Sequence, residues 1–362
     1  MEVNNGSEEA MCTWKRGKQL GKGGFASVFL ATPNPSSSLN NFPPNCTRFA
    51  VKSVDVDDSS GLDSLQTEAE ILAQLQPSSF VIRYYGTDIT IETTNKRREY
   101  FNLLLEYASM GSLQDRISTK GLPQPEVRYI TRQLLMGIRY IHAKGFVHCD
   151  LKPDNVLLLP SSDSPVGIIP KIADFGLASR PIKRHGCRGM KGTPMYMAPE
   201  SVDCSDYIPK SDVWALGCIV LEMLTAKKPW KWGVDESVDT LFDRILCSGT
   251  LPLIPENISE EAQDFLRHCL VFDHRDRWSE HMLLRHPFVF TQIDDTHINN
   301  RVASPRSLSD SIVSCSSCVT TDNKETSPIQ IPNNIIHILS SGEEKEYALH
   351  QRERAKRRKL YN

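Results

Sequence analysis

The pattern of the sequence changes near residue 107. Between residues 14 and 105 it contains short β-prone runs such as SVFLAT, RFAVKSV and YFNLLLEY, with one helical segment at 65–75. Helical periodicity dominates the rest, at 126–143, 210–225, 240–248, 259–269 and 280–286. A β-rich half followed by a larger α-rich half predicts an α+β fold with two lobes that share a cleft.

The ends of the chain differ in composition from this ordered part. We expect residues 1–13 to be flexible and residues 14–290 to form one two-lobed domain, with the smaller lobe at about 14–107 and the larger at about 108–290. Residues 291–362 are serine-rich and then basic, which predicts a disordered tail. The stretch TPNPSSSLNNFPPNC predicts a long exposed loop between two strands.

Bulk composition excludes several function classes. A net charge of −2 provides no global attraction to nucleic acid, and no run is apolar enough to span a membrane. The acidic N-terminus has no apolar signal region, so we expect a cytoplasmic protein whose 10 cysteines are reduced. A zinc site at Cys315 and Cys318 lacks a second ligand pair. The basic cluster at 356–359 is a nuclear-import signal, an anionic-surface contact or a solvated end.

A glycine-rich strand-turn-strand, LGKGGFASVFLA, lies near the start of the first lobe. Its residues Gly21, Gly23 and Val28 fit the pattern G-x-G-x-x-G-x-V, with Ala26 in place of the third glycine. Glycines at such a turn allow backbone N–H groups to approach nucleotide phosphates closely. Alone, the same stretch also fits an ordinary β-hairpin.

A lysine on the following strand needs an anionic partner. Lys52 lies in FAVKSV, an alternating apolar strand, and the helical segment after it contains Glu68 and Glu70. At about 100° per residue, Glu68 shares a stripe with Leu65 and Leu72, whereas Glu70 points away. We therefore predict an ion pair between Lys52 and Glu68; the alternative is that both acids lie on a solvated face.

Two loops in the second half carry the residues expected for phosphoryl transfer. The first, HCDLKPDN, contains Asp150, Lys152 and Asn155, and the second, IADFGLA, contains Asp174. Oxygens from Asn155 and Asp174 suit hard Mg²⁺ ions that bridge phosphates, and Asp150 can accept a proton from an attacking hydroxyl.

With the later segments GTPMYMAPE and SDVWALG, these motifs occur in one order along the chain. Over about residues 14–290 the sequence resembles a eukaryotic protein kinase, and the resemblance implies a bilobal fold that uses ATP and Mg²⁺. It also implies that Asp212 braces the catalytic loop and that Glu200 pairs with Arg277.

The resemblance assigns further roles. Asp150 is implied to be the catalytic base and Leu105 the gatekeeper, and Thr193 to bond Asp150 and Lys152. The resemblance also implies that Lys52, fixed by Glu68, holds the α- and β-phosphates and that Asn155 and Asp174 hold the metal. Glu106 and Ala108 are implied to offer backbone hydrogen bonds to adenine. The residues implied to surround the nucleotide are Leu20, Gly21, Gly23, Gly24, Val28, Ala50 and Leu157.

The substrate class also follows from resemblance. Lys152 in DLKPDN and Thr193 in GT are typical of serine/threonine kinases, while Ser112 stands where relatives that select basic peptides carry glutamate. The segments TWKRGKQLGKGGFASVFLA, VHCDLKPDN and KGTPMYMAPES are most similar to plant mitogen-activated protein (MAP) kinase kinase kinases of the MEKK-like group. The implied protein substrate is a MAP kinase kinase.

Cys149 departs from the family pattern, in which an arginine at this position binds a phosphorylated activation loop. That loop, FGLASRPIKRHGCRGMKGTPMYMAP, contains five basic residues and no acid. An arginine at 149 would meet repulsion on the order of a few kcal/mol without a phosphate. We therefore expect activity without loop phosphorylation, controlled by abundance, partners or tail-binding regulators. A redox pair of Cys149 and Cys187 is an alternative.

Three functional alternatives remain open at this point. A pseudokinase scaffold would explain Ala26 and Cys149, but Lys52, Asp150 and Asp174 are all present. A serine/threonine kinase outside the MAP kinase cascade fits the same motifs. A small-molecule kinase would not need the peptide-docking segment GTPMYMAPE. Ser304 and Ser327 precede prolines and are candidate sites for proline-directed phosphorylation.

Overall fold

The structure is a computed structural model. It describes residues 13–24, 26–34, 46–93, 97–117, 119–181, 190–233, 236–246 and 250–290. The predictions for the N-terminus, for Cys187, for the tail with its cysteines, serines and basic cluster, and for most of the proline-rich loop lie outside these residues.

The first lobe is a five-stranded antiparallel sheet with one helix. The elements are β1 (Trp14–Lys22), β2 (Ser27–Pro33), β3 (Phe49–Asp55), α1 (Ser59–Gln74), β4 (Tyr84–Glu92) and β5 (Arg98–Leu105). The strand order is β1-β2-β3-β5-β4, and helix α1 lies in the connection between β3 and β4, which are not neighbours in the sheet. On one sheet face a small apolar cluster forms around Trp14, Phe49 and Val51.

Helix α1 orients its acidic residues as the sequence predicts. Asp58 caps its N-terminus by accepting a hydrogen bond from the Gly61 N–H at 3.1 Å. Leu65, Glu68 and Leu72 are buried on one side, whereas Glu70 is exposed. The helical period therefore directs one of the two glutamates into the protein.

The second lobe is mainly helical. Its helices are α2 (Leu113–Arg116), α3 (Gln124–Ala143), α4 (Pro199–Cys204), α5 (Pro209–Thr225), α6 (Val238–Leu246), α7 (Glu260–Cys269) and α8 (Glu280–Leu283), and a hairpin of β6 (Val156–Pro160) and β7 (Ile168–Ile172) faces the cleft. Every α5 residue from 211 to 223 is buried, so this helix forms the centre of the lobe. None of the helices within the described ranges combines the length and hydropathy that a bilayer crossing requires.

Some helix boundaries differ from the sequence expectations. Helix α3 begins two residues earlier than predicted, because a proline is favoured in the first helical turn and Pro125 lies there. Helix α8 ends at Leu283 rather than residue 286, since Pro287 disfavours helical geometry in the residue before it. Helix α6 begins at Val238, two residues before the predicted 240, and the predicted end at 248 lies outside the described residues.

The two lobes share a continuous hydrophobic core. Ile172 of β7 exchanges backbone hydrogen bonds with the segment before β4, donating to the Phe80 carbonyl at 2.8 Å and accepting from the Ile82 N–H at 2.9 Å. Leu72 and Leu75 from the α1 region belong to the same core as Ile141 of α3. This packing places α1 and β3 opposite the loops after α3 and β7.

Candidate active site

Lys52 lies at the centre of the cleft between two carboxylates. Its Nζ is 2.7 Å from Glu68 Oε2 and 2.9 Å from Asp174 Oδ1. Burial alone would lower the pKa of Lys52, but the charges of Glu68 and Asp174 more than compensate and raise it. Lys52 is therefore a fixed cation in the cleft, and the predicted Lys52–Glu68 ion pair is present.

Asp174 connects this cation to the predicted metal site. Its φ of 64° is unusual for a residue other than glycine and turns its carboxylate toward Lys52. Burial opposes ionisation, but Lys52, with His148 and Lys152, lowers the pKa of Asp174. The side chain is 47% exposed, so its second oxygen remains accessible from the cleft.

The glycine-rich turn borders the same cleft. Gly21 pairs with Val28 across β1 and β2, and the Gly23 N–H donates to the Ala26 carbonyl at 2.8 Å. A Cβ built on Gly21 or Gly24 would meet no atom within 4 Å, so packing does not explain the absence of side chains there. The turn has the open backbone that a phosphate group requires. The exposed Leu20 precedes it.

Strand β5, which ends at the gatekeeper position Leu105, borders the cleft. Leu105 pairs with Ala50 of β3, and Val28 pairs with Lys52. The Glu106 N–H donates to the Arg83 carbonyl at 2.9 Å, so the adenine contact implied for Glu106 would use its carbonyl. In the segment between β5 and α2, Ser112 forms a β-bridge with Leu157 of β6. The predicted adenine-contact residues thus lie on strands and turns that border one cleft.

The catalytic loop holds Asp150 in a fixed orientation. Its Oδ1 accepts hydrogen bonds from the Thr193 N–H at 2.8 Å and from the Thr193 hydroxyl at 2.7 Å. Its Oδ2 accepts from Lys152 Nζ at 2.9 Å and from Asn155 Nδ2 at 3.2 Å. Lys152 also donates to the Thr193 hydroxyl at 2.8 Å. Four donors therefore fix one carboxylate, and Thr193 makes both bonds that resemblance implies.

Asn155 contributes to the same loop through its amide nitrogen. Its Nδ2 donates to the Asp150 carbonyl at 2.9 Å as well as to the Asp150 carboxylate. The amide oxygen is left to act as an acceptor. Asn155 and Asp174 thus each offer an oxygen of the kind that a hard divalent cation binds.

Asp212, on the buried helix α5, braces this loop from below. Its carboxylate accepts from the backbone N–H groups of His148 at 2.9 Å and Cys149 at 3.1 Å. It also lies 2.9 Å from His142 Nε2, on α3. Burial opposes the charge of His142, but Asp212 and Glu280 raise its pKa to about 9. The bracing carboxylate therefore faces a cationic histidine, which sequence analysis did not identify.

The environment of Cys149 does not favour a redox role, and its predicted partner Cys187 lies outside the described residues. Its Sγ lies 3.4 Å from the Val147 carbonyl and 3.8 Å from the Ser179 hydroxyl. Burial, together with the charge of Asp212, raises the pKa of Cys149 to about 12, against the smaller opposing effect of Lys191. A redox-active thiol beside cations would instead have a lowered pKa. Cys149 is a structural thiol in a left-handed backbone position, with φ 69°.

The predicted Glu200–Arg277 pair closes the base of the peptide-docking segment. Arg277 Nη1 and Nη2 donate to the two Glu200 oxygens at 2.7 and 3.0 Å, and both residues are buried. This bidentate pair anchors the start of α4 to the segment before α8.

A second buried acid in the same lobe has a network that sequence analysis missed. Glu222 accepts a hydrogen bond from the Tyr196 hydroxyl at 2.6 Å and forms an ion pair with Lys228 at 2.8 Å. The signal was present, because Glu222 interrupts the most apolar run of the sequence, VWALGCIVLEML. A buried acid needs a partner, but the spacing alone does not identify it.

Comparison with known proteins agrees with this geometry. The family model described as protein kinase domain matches residues 14–289. Over 80% of its length the chain is 43% identical to mitogen-activated protein kinase kinase kinase 20 of Arabidopsis thaliana, covering 82% of that protein. It is 38% identical to mitogen-activated protein kinase kinase kinase 18 of the same plant, over 82% of this chain and 83% of the relative. It is 34% identical to mitogen-activated protein kinase kinase kinase 3 of Homo sapiens, over 78% of this chain and 43% of the relative.

Proposed function

Because the chain belongs to the protein kinase family, we propose that it is a serine/threonine kinase that acts as a MAP kinase kinase kinase. One observation carries the serine/threonine assignment: Thr193 bonds both Asp150 and Lys152, at 2.7 and 2.8 Å. This bridge joins the peptide-docking segment to the catalytic base. A short hydroxyl side chain of a protein substrate is then presented directly to that base.

Asp150 receives the proton of the substrate hydroxyl. As that oxygen forms its bond to the γ-phosphorus of ATP, the bond to the β-phosphate oxygen breaks and ADP leaves. The contact from Asn155, at 3.2 Å, is the longest of the four to Asp150 and is the one most easily exchanged for the hydroxyl. Lys152 remains beside Asp150 and stabilises negative charge near the transferred group.

Nucleotide and metal binding are assigned to the other side of the cleft. Lys52 pairs with the α- and β-phosphates, and its position depends on Glu68 at 2.7 Å. Asn155 and Asp174 supply oxygens that suit Mg²⁺, which neutralises phosphate charge when bound. The intact Lys52–Glu68–Asp174 arrangement supports an active kinase over a pseudokinase scaffold.

The place in the cascade rests on the similar proteins. All three are named MAP kinase kinase kinases, and the two from Arabidopsis thaliana match this chain over most of both lengths. We infer that the substrate is a MAP kinase kinase, modified on serine or threonine. Cys149 and the basic loop support activity without loop phosphorylation, with control by partners or the tail.

A kinase assay against a panel of catalytically inactive MAP kinase kinases tests the proposal. The wild-type protein should transfer phosphate to serine or threonine of at least one substrate, and Asp150→Asn should reduce the rate by about a hundredfold or more. Lys52→Met provides the matched nucleotide-site control. Binding of ATP with Mg²⁺ but no transfer to any protein, itself included, would show a pseudokinase instead.

A further inference from the structure

Lys228 has an unusual set of partners for a lysine at the surface. Its Nζ donates to Glu222 Oε1 at 2.8 Å, to the Tyr196 hydroxyl at 3.0 Å and to Gln114 Oε1 at 2.6 Å. An ammonium group has three N–H donors, so all of them are used. The side chain is still 45% exposed, so the fixed charge borders solvent.

The position of this charge follows from Tyr196. The Tyr196 N–H donates to the Thr193 carbonyl at 3.0 Å, so the two residues share a single turn of the peptide-docking segment. Thr193 in turn bonds the base Asp150. Lys228 therefore contacts the segment that borders the substrate, on the side where α2 supplies Gln114.

Two acids lie around the same position. Glu222 is 2% exposed and uses its other oxygen to accept from Tyr196. Asp154, exposed on the catalytic loop, acts electrostatically on Tyr196. Without Lys228 this region would be an acidic pocket, and a buried carboxylate in such a pocket would strongly favour a cationic side chain from outside.

We propose that Lys228 is a specificity-determining residue: it fills this acidic pocket from within the chain, so the kinase accepts protein substrates that lack basic residues beside the phosphorylated hydroxyl. The proposal rests on the proposed function and names its substrate class more closely. Ser112 supports it, because its hydroxyl is used to cap α2 through the Asp115 N–H at 3.1 Å. Position 112 itself therefore carries no carboxylate, and the nearby Asp115 carboxylate accepts from the Ser112 N–H and hydroxyl at 2.9 and 2.8 Å.

The test uses a kinase-inactive MAP kinase kinase that the wild-type enzyme phosphorylates. Each of the residues flanking its phosphoacceptor is replaced in turn by arginine or by glutamine, and kcat/KM is measured for each pair. The wild-type ratio of arginine to glutamine should stay within about twofold of one at every position. In Lys228→Met the ratio should rise about tenfold at one position or more, which corresponds to about 1.4 kcal/mol.

Matched variants separate specificity from folding. Lys227→Met removes the neighbouring exposed lysine and should leave the ratio unchanged. Glu222→Gln combined with Lys228→Met removes both charges and should return the ratio toward the wild-type value. If Lys228→Met does not fold, Lys228→Gln is measured instead, because its amide can still bond Glu222.

Two results would overturn the proposal. One is a folded Lys228→Met or Lys228→Gln enzyme whose ratio matches the wild type at every position. The other is a wild-type enzyme that already prefers arginine by about tenfold or more at a flanking position. If the wild type phosphorylates no MAP kinase kinase at all, the proposed function fails first and the specificity inference fails with it.

Discussion

Replacing Asp212 with asparagine should release the catalytic loop from the core. The carboxylate is buried and accepts from the N–H groups of His148 at 2.9 Å and Cys149 at 3.1 Å, and it lies 2.9 Å from His142 Nε2. Asparagine has nearly the same shape but only one acceptor oxygen. Its NH₂ group would face at least one of the N–H donors that the carboxylate now accepts from, and two donors cannot form a hydrogen bond with each other.

The magnitude follows from these contacts. A hydrogen bond to a charged group contributes about 1.5–3 kcal/mol, and breaking a buried ion pair by removing one partner costs about 3–5 kcal/mol. The His142 contact is such a pair, because the pKa of His142 is raised to about 9. We expect the free energy of unfolding at pH 7 to fall by about 4 kcal/mol, a large part of a typical total of about 5–15 kcal/mol.

Activity should fall as well, and mainly through kcat. Cys149 has a φ of 69°, a conformation that costs about 1–3 kcal/mol and depends on its bond to Asp212. Once that bond is lost, Asp150 next to it no longer has a fixed position, and a displacement of about 1 Å can reduce a rate about a hundredfold. KM for ATP should change little, because Lys52 and Glu68 are held by other contacts.

Urea unfolding and steady-state kinetics of Asp212→Asn measure both effects. Asp163→Asn, at an exposed turn, is the control and should stay within about 0.5 kcal/mol of wild type. A loss of less than about 1 kcal/mol in Asp212→Asn, or a kcat within about twofold of wild type, would refute the bracing role.

Three further predictions concern the same lobe. Burial lowers the pKa of His142, but Asp212 and Glu280 raise it from 6.5 to about 9, so the charged histidine stabilises the fold by about 3 kcal/mol below pH 6.5 and this stabilisation is lost as pH rises through 9. The difference in unfolding free energy between wild type and His142→Gln should therefore shrink between pH 6.5 and 9. A difference that stays constant over this range contradicts the prediction. Burial raises the pKa of Cys149 to about 12, so this thiol should react slowly with iodoacetamide at pH 8. Mass spectrometry of the treated native protein should find Cys149 largely unmodified. Rapid labelling would show a reactive thiol. Ser179→Ala and phosphatase treatment should each leave kinase activity within about twofold of the untreated wild type. The reason is that the Ser179 backbone pairs with Val147 and its hydroxyl lies against Cys149. A loss of activity above about tenfold would show activation by phosphorylation.

Several features of the site follow from local sequence. The choice of Glu68 over Glu70 needs only the period of a helix and the apolar stripe beside it, and the structure confirms it. The contacts of Thr193 and the Glu200–Arg277 pair were implied by ordered motifs of a known family, and both are present. The Glu68 choice succeeded because a helix has a fixed period, whereas the other two contacts join residues that are far apart in the chain and were implied by the family resemblance alone.

Other features could not be predicted from spacing. Lys228 and Gln114 are 114 residues apart, and His142 and Asp212 are 70 apart. The lysine could equally have been a solvated surface charge, and the histidine an ordinary core residue on α3. The packing of α3 against α5 brings His142 to Asp212, and the approach of α2 to the segment after α5 brings Gln114 to Lys228.

The sequence alone determined which residues are candidates for the chemistry and which way the first helix faces. It also showed that Cys149 replaces an arginine beside a loop without acids. The tertiary structure decided the state of that thiol, the charge of His142 and the partner of Glu222. The physical reason is that pKa values and ion pairs depend on burial and on neighbours from other elements, which a local pattern of residues does not specify.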